Sequence, residues 1–429
     1  MQTSSKPSSR QNVISERENP HSTSGGYFCV LMTQTGCCLG LAALLYITLT
    51  IGTVEILSLF PKTRAYSQQT PPVVTAEVCS KGSKGCTQKD SALRFLLIGD
   101  TGGLPIYPYT TLAQGTVRDT MIRLTEQNKV QLVLNVGDNI YFTGVANEFD
   151  ARFETSFEEV YNHPIFDGIP FFTIAGNHDH FGNVSAQIAY TKYSRKWMYP
   201  DYWYKFNYTL SDGTTIDFLM IDTIVLCGNT ADVEYGDLWD LLWKGSKVPD
   251  GPKDKKMAEK QWDWIAKTLN ESRADYLFVG GHYPVFSMSS HGPTQCLVDR
   301  LKPLLEQFSV TAYFAGHDHT LQHLEVPTTD RHSHITYIVS GAASRTDRST
   351  KHKNSVPQGS IKFNYPSGWN PFSQLGFSRG ALIYVEINKD RAKFDFLKGN
   401  GESKYTMSLM SRKRSVKLDG DEEARTIEL

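Results

Sequence analysis

Val310-Thr311-Ala312-Tyr313-Phe314-Ala315-Gly316-His317-Asp318-His319 is an apolar run that stops at a glycine and then presents two histidines two residues apart. A core has no use for such a pair, and its residue types suit a metal. Four other runs stop in the same way. They are Phe95-Leu96-Leu97-Ile98-Gly99-Asp100, Leu132-Val133-Leu134-Asn135-Val136-Gly137-Asp138, Phe171-Phe172-Thr173-Ile174-Ala175-Gly176-Asn177-His178 and Tyr276-Leu277-Phe278-Val279-Gly280-Gly281-His282. Short β-branched and aromatic runs bounded by glycine read as buried strands, and in layered α/β architectures the groups beyond their carboxyl ends converge on one crevice. A single Gly-Asp or Gly-His is ordinary turn chemistry. Five in order describe a site.

Asp100 in Gly-Asp-Thr-Gly, Asp138 and Tyr141 in Gly-Asp-Asn-Ile-Tyr, Asn177 in Gly-Asn-His-Asp, His282 in Val-Gly-Gly-His, and His317 and His319 in Gly-His-Asp-His resemble the motif set of the purple acid phosphatases. The resemblance is to their small, animal, tartrate-resistant type, and it runs from about Ser91 to Phe396. Tyr141 narrows it, because the wider metallophosphoesterase superfamily shares the other motifs. The resemblance implies an α+β fold, a four-layer α/β/β/α sandwich with the metal site at strand ends. It also implies two ligand sets sharing Asp138: Asp100, Tyr141 and His319 for one metal, and Asn177, His282 and His317 for the other. The first set is anionic and suits Fe(III), whereas the second is neutral apart from Asp138 and suits Fe(II), Zn(II) or Mn(II).

That dinuclear centre implies hydrolysis of phosphate monoesters, small molecules or phosphoproteins, at acidic pH, with a metal-bound hydroxide as nucleophile. The alternative on the same scaffold is a phosphodiesterase or nucleotidase. His178 and His291 match family histidines that do not bind metal, and each is a candidate to orient phosphate or protonate the leaving group. By the same resemblance Cys227 and Cys296 form a disulfide, and the polar segment from Gly228 to Lys256 is an exposed loop that restrains activity or a plain surface loop. Thr101 departs from the family, where an aromatic residue often follows the first aspartate.

The chain has 429 residues, with 44 basic residues against 45 acidic. A net charge of -1 gives no field to steer nucleic acid, and no such partner is expected. Residues 1–26 read as a disordered polar head. From Tyr27 to Val54 no residue is charged, a segment (27–54) long enough to span a bilayer as a signal-anchor or to serve as a cleaved signal. Residues 55–90 form a Pro- and Lys-containing stalk, 91–396 the catalytic domain, and 397–429 a charged tail. Cys79 and Cys86 bracket a short loop and offer a second bridge. Asn183, Asn207 and Asn270 stand in glycosylation sequons. With the cysteines they favour the secretory pathway, membrane-anchored with a lumenal or extracellular domain, or secreted or lysosomal if the segment is cleaved.

Within the domain, apolar spacing predicts helices over Leu112 to Asn128 and Met257 to Leu269. It predicts a third over Asn147 to Val160, with Phe149, Phe153, Phe157 and Val160 on one face. Further strands are expected at Thr215 to Ile221, Ile335 to Val339 and Leu382 to Ile387.

Overall fold

The structure, a computed structural model, describes residues 86–87, 90–230, 248–368, 370 and 372–412. The chain divides into two units, Met1–Ser67 and Gln68–Leu429, and every described residue belongs to the second. The polar head, the apolar segment 27–54, most of the stalk and any pairing of Cys79 with Cys86 lie outside the described residues. Among those described, no helix is long and apolar enough to cross a membrane.

In chain order the described strands are β1 (Cys86–Thr87), β2 (Leu93–Ile98), β3 (Leu132–Asn135), β4 (Phe171–Thr173), β5 (Trp197–Met198), β6 (Tyr204–Thr209), β7 (Thr215–Met220), β8 (Tyr276–Gly280), β9 (Ala312–Ala315), β10 (Leu321–Pro327), β11 (His334–Ser340), β12 (Ile361–Tyr365), β13 (Ala381–Ile387), β14 (Ala392–Lys398) and β15 (Ser403–Leu409). They form two mixed sheets, ordered β1-β6-β7-β8-β9-β11-β10-β12 and β15-β14-β13-β2-β3-β4-β5. The glycine-terminated runs are the central parallel strands. They read as unbroken apolar stretches because both faces are covered. In β8, Tyr276 and Phe278 join the core that also holds the second sheet, while the alternate Leu277 and Val279 pack with Trp262, Ile265, Leu269, Leu297 and Leu301 from helices Lys255–Glu271 and Gln295–Gln307.

Aromatic rings fasten the sheets face to face. Phe95 of β2 lies 5.7 Å from Phe218 of β7, and Phe172 of β4 stacks at 4.0 Å on Phe206 of β6. On the far face of the second sheet, helix Leu112–Asn128 buries Val117 and Met121. The result is a helix, sheet, sheet, helix sandwich. That helix begins where Thr111 and Gln114 form a capping box and ends where Lys129 turns left-handed. Asp254 caps the helix Lys255–Glu271 by accepting from Lys256 N and Met257 N at 2.9 and 3.0 Å. Cys227 and Cys296 are joined in a disulfide with their Cα atoms 5.8 Å apart, tying the short helix Thr223–Cys227 to Gln295–Gln307.

Three expectations need correction. The stretch from Asn147 to Val160 is no regular α-helix: Ala151–Phe153 gives one turn and then widens into a π turn over Glu154–Glu158. Phe153 and Phe157 are buried, but Phe149 is 61% exposed and meets Tyr193 on the surface. The domain does not stop at Phe396, because β14 runs on to Lys398 and pairs with β15, which buries Met407. Nor is the stalk wholly outside the domain, since β1 pairs in parallel with β6.

Candidate metal centre

Parallel β2, β3 and β4 in one sheet, and β8 and β9 in the other, end on the same side of the sandwich. Their loops then bond across the gap. Asp100 N donates to Gly137 O at 2.9 Å and Gly316 N to His282 O at 3.0 Å. Between sheets, His317 N donates to Asp100 Oδ2 at 2.9 Å and His282 Nδ1 to Val136 O at 2.8 Å. Glycine precedes Asp100, Asp138, Asn177, His282 and His317 because the approach is so close: a Cβ on Gly316 would stand 2.6 Å from Asp100 Oδ2, and one on Gly176 would overlap the Asp138 carboxylate. Asp100, Asp138 and His317 have φ of 58°, 53° and 68°. Left-handed backbone at residues other than glycine costs about 1–3 kcal/mol each and is kept where a site requires it.

One half of the site is a triangle. Tyr141 Oη donates to Asp100 Oδ1 at 3.1 Å and lies 3.0 Å from His319 Nε2, which is 3.4 Å from Asp100 Oδ1. The other half gathers on His282, whose Nε2 is 3.0 Å from Asn177 Oδ1 and 3.4 Å from Asp138 Oδ1. The His317 ring centroid is 5.1 Å from that of His282. Ligand atoms of Asp100, Asp138 and His282 all fall within 4.8 Å of one another. The two remaining histidines flank this group. His178 Nε2 is 4.0 Å from Asp138 Oδ2, and the His291 ring lies 3.8 Å from that of His317.

The protonation states suit a cation. Burial alone would raise the Asp138 carboxyl, but His282 and His178 outweigh it and hold it below its ordinary value. Burial, reinforced by the neighbouring histidines, pushes His317 well below its ordinary value, and its Nε2 is buried without a partner. A neutral imidazole with an orphaned ring nitrogen beside an ionised carboxylate is a metal ligand's condition. In His282 and His319, Nδ1 is taken by Val136 O and by Gln374 Oε1 at 2.8 Å, which turns Nε2 toward the site. Burial, then Asp100 and Asp138, push the Tyr141 phenol well up, and Arg345 opposes them. The donor set fits a metal pair.

Several residues that support the site carry weaker sequence signals. Asp179, raised to about 6 chiefly by burial, accepts from Gly176 N at 2.8 Å and Asn139 N at 3.0 Å, and so joins two ligand loops. Asp318 accepts from His291 N at 3.0 Å and Ser290 Oγ at 3.2 Å, and also from Ser287, which fixes the His291 loop against the ligand loop. Arg345 covers the Tyr141 ring at 4.1 Å. It is one cation in a loop full of them, and spacing gives it no distinction.

Residues 93–321 match the calcineurin-like phosphoesterase family. Tartrate-resistant acid phosphatase type 5 of Rattus norvegicus is 38% identical over 330 residues, covering 77% of this chain and 94% of that one. Purple acid phosphatase 7 of Arabidopsis thaliana is 28% identical, covering 76% of this chain and 88% of its own. Among solved structures, GAP50, the anchor in the inner membrane complex of Plasmodium, superposes with a TM-score of 0.58 at 23% identity over 75% of this chain and 90% of that one, and so shares the fold. The motifs, the two-sheet sandwich and these similarities together establish that the chain belongs to the calcineurin-like phosphoesterase family and, within it, to the purple acid phosphatases.

Proposed function

We propose that the chain is an acid phosphatase that hydrolyses phosphate monoesters with a dinuclear Fe(III)–M(II) centre, M being Fe, Zn or Mn. The observation that carries this reading is the triangle of Tyr141, Asp100 and His319 beside a neutral His317 whose Nε2 has no partner. Asp100, Tyr141 and His319 would hold the trivalent ion, Asn177, His282 and His317 the divalent one, and Asp138 both. Bound there, the pair would supply charge neutralisation for the phosphate and a hydroxide nucleophile at acidic pH. The protein's own part is to orient and to move protons. His178 Nδ1 donates to Phe142 O at 2.7 Å, which directs Nε2 toward Asp138 and the site. His291 is held over His317 by Asp318. Either can pass a proton to the leaving oxygen. Rates on a monoester and a bis-ester across pH test the reading: the monoester should lead at acidic pH, and His282→Ala should lose both metal and turnover. Faster bis-ester hydrolysis would instead identify a phosphodiesterase.

We also propose that the domain faces the lumen or the exterior, by way of the uncharged segment 27–54. Support comes from the Cys227–Cys296 disulfide and from exposed Asn183 and Asn270 in sequons, with Asn207 half-buried on β6. Mass spectrometry of protein from its own cells should find glycan on Asn183 or Asn270. Unmodified asparagine at all three sequons would count against this placement.

A further inference from the structure

We infer that Arg345 is a positioning residue for the metal centre, setting how strongly the Tyr141 phenolate donates to its metal. The inference rests on the Fe(III)–phenolate reading above.

Arg345 follows β11 in a loop sewn to the first ligand loop, with Ala343 N donating to Gly99 O at 3.3 Å and Ser344 N to Asp100 O at 3.2 Å. Its guanidinium carbon sits 4.1 Å from the Tyr141 ring centroid and 5.1 Å from that of Phe142. The residue is only 6% exposed. Nη2 donates to Gly103 O at 2.8 Å, and Nε has no partner. The acidic groups that face this cation are Tyr141 and Asp100 of the set proposed for the trivalent ion, and the shared Asp138.

A buried guanidinium is costly unless an anion compensates it, and a methionine would fill the same space without that cost. What the charge adds is electrostatic. A cation over an aromatic face is attracted to the ring's electrons, more so away from water. On a phenolate, where the negative charge spreads into the ring, it stabilises the electrons the oxygen would share with the metal. Tyr141 is then a weaker donor. Charge transfer from phenolate to Fe(III) costs more energy, and the reduced metal is favoured over the oxidised one. His178 occupies another side of the same ring, 4.7 Å away and edge-on, so Arg345 also helps fix the plane against which that histidine rests.

Three variants of the full chain, purified with their metals, separate this role from packing. Arg345→Met keeps the length and removes the charge. Arg345→Gln removes the charge but keeps a donor for Gly103 O. Arg345→Lys keeps a charge that cannot lie flat on the ring. Iron content, the position of the visible band and the reduction midpoint potential are measured for each. With iron retained, the Met and Gln variants should absorb at longer wavelength than wild type and show a lower potential, with Lys shifted the same way but less. An unchanged band and potential in either neutral variant would show that Arg345 only packs. Should both neutral variants fail to fold, the Lys variant decides, and no shift or a shift to shorter wavelength overturns the inference. A colourless wild type overturns the function proposed above, and this inference with it. A coloured wild type whose variants do not shift overturns this inference alone.

Discussion

In the proposed mechanism His178 and His291 would divide the chemistry of the site from its metal binding, because both lie against the candidate ligands without belonging to either proposed set. Burial is the largest influence on each and draws both below the ordinary histidine value, so their acid forms belong to acidic solution. Replacing either with alanine should leave metal content and colour in place. Loss of a general acid typically costs roughly 10² to 10⁴-fold in rate. That loss should appear on an ester with a poor alkoxide leaving group and nearly vanish on a nitrophenyl ester, whose leaving group needs no proton. Wild-type turnover by both variants on the poor-leaving-group ester would show that the proton comes from elsewhere.

Among the elements, the His180–Asp222 pair offers a pH-dependent brace. Asp222 follows β7, caps the helix Thr223–Cys227 through Ile224 N and Val225 N at 3.0 and 2.9 Å, and meets His180 Nε2 at 2.7 Å. Burial lowers His180, but the charge of Asp222 outweighs it and leaves the imidazole raised. A raised folded value means that the stabilisation is complete below the unfolded value of about 6.5 and is lost as pH climbs through the folded one. A hydrogen bond to a charged group is worth roughly 1.5–3 kcal/mol. His180→Gln should therefore cost about that much at pH 5 and clearly less at pH 9, as read from denaturant midpoints. An equal cost at both pH values would contradict it. The sequence shows Asp222 at a strand end but not its partner, since His180 is one of several loop histidines. Strand ends were legible because central strands buried on both faces leave unbroken apolar runs. The outer strands left no such trace: β15 buries only Met407 among alternating polar residues. The misread stretch at Asn147 carries phenylalanines at helical spacing, yet local packing uses two of them and gives Phe149 to the surface.

At the scale of the molecule, two sheets packed face to face must bring their strand ends together for the site to exist, one sheet built from β2–β5 with β13–β15 and the other from β1 with β6–β12. Asp100, Asp138, Asn177 and Tyr141 follow one sheet, and His282, His317 and His319 follow the other. The ring contacts of Phe172 with Phe206, and of Phe95 with Phe218, hold that relation rigid. With a net charge of -1 the molecule offers no general attraction for anions, so in the proposed reading the pull on phosphate would come from the metal ions. The most direct test of this account is metal analysis with a visible spectrum of the purified protein, before and after Tyr141→Phe. The account predicts two metals per chain, at least one of them iron, and a visible band that Tyr141→Phe removes. A colourless, iron-free protein with full acid phosphatase activity would contradict it.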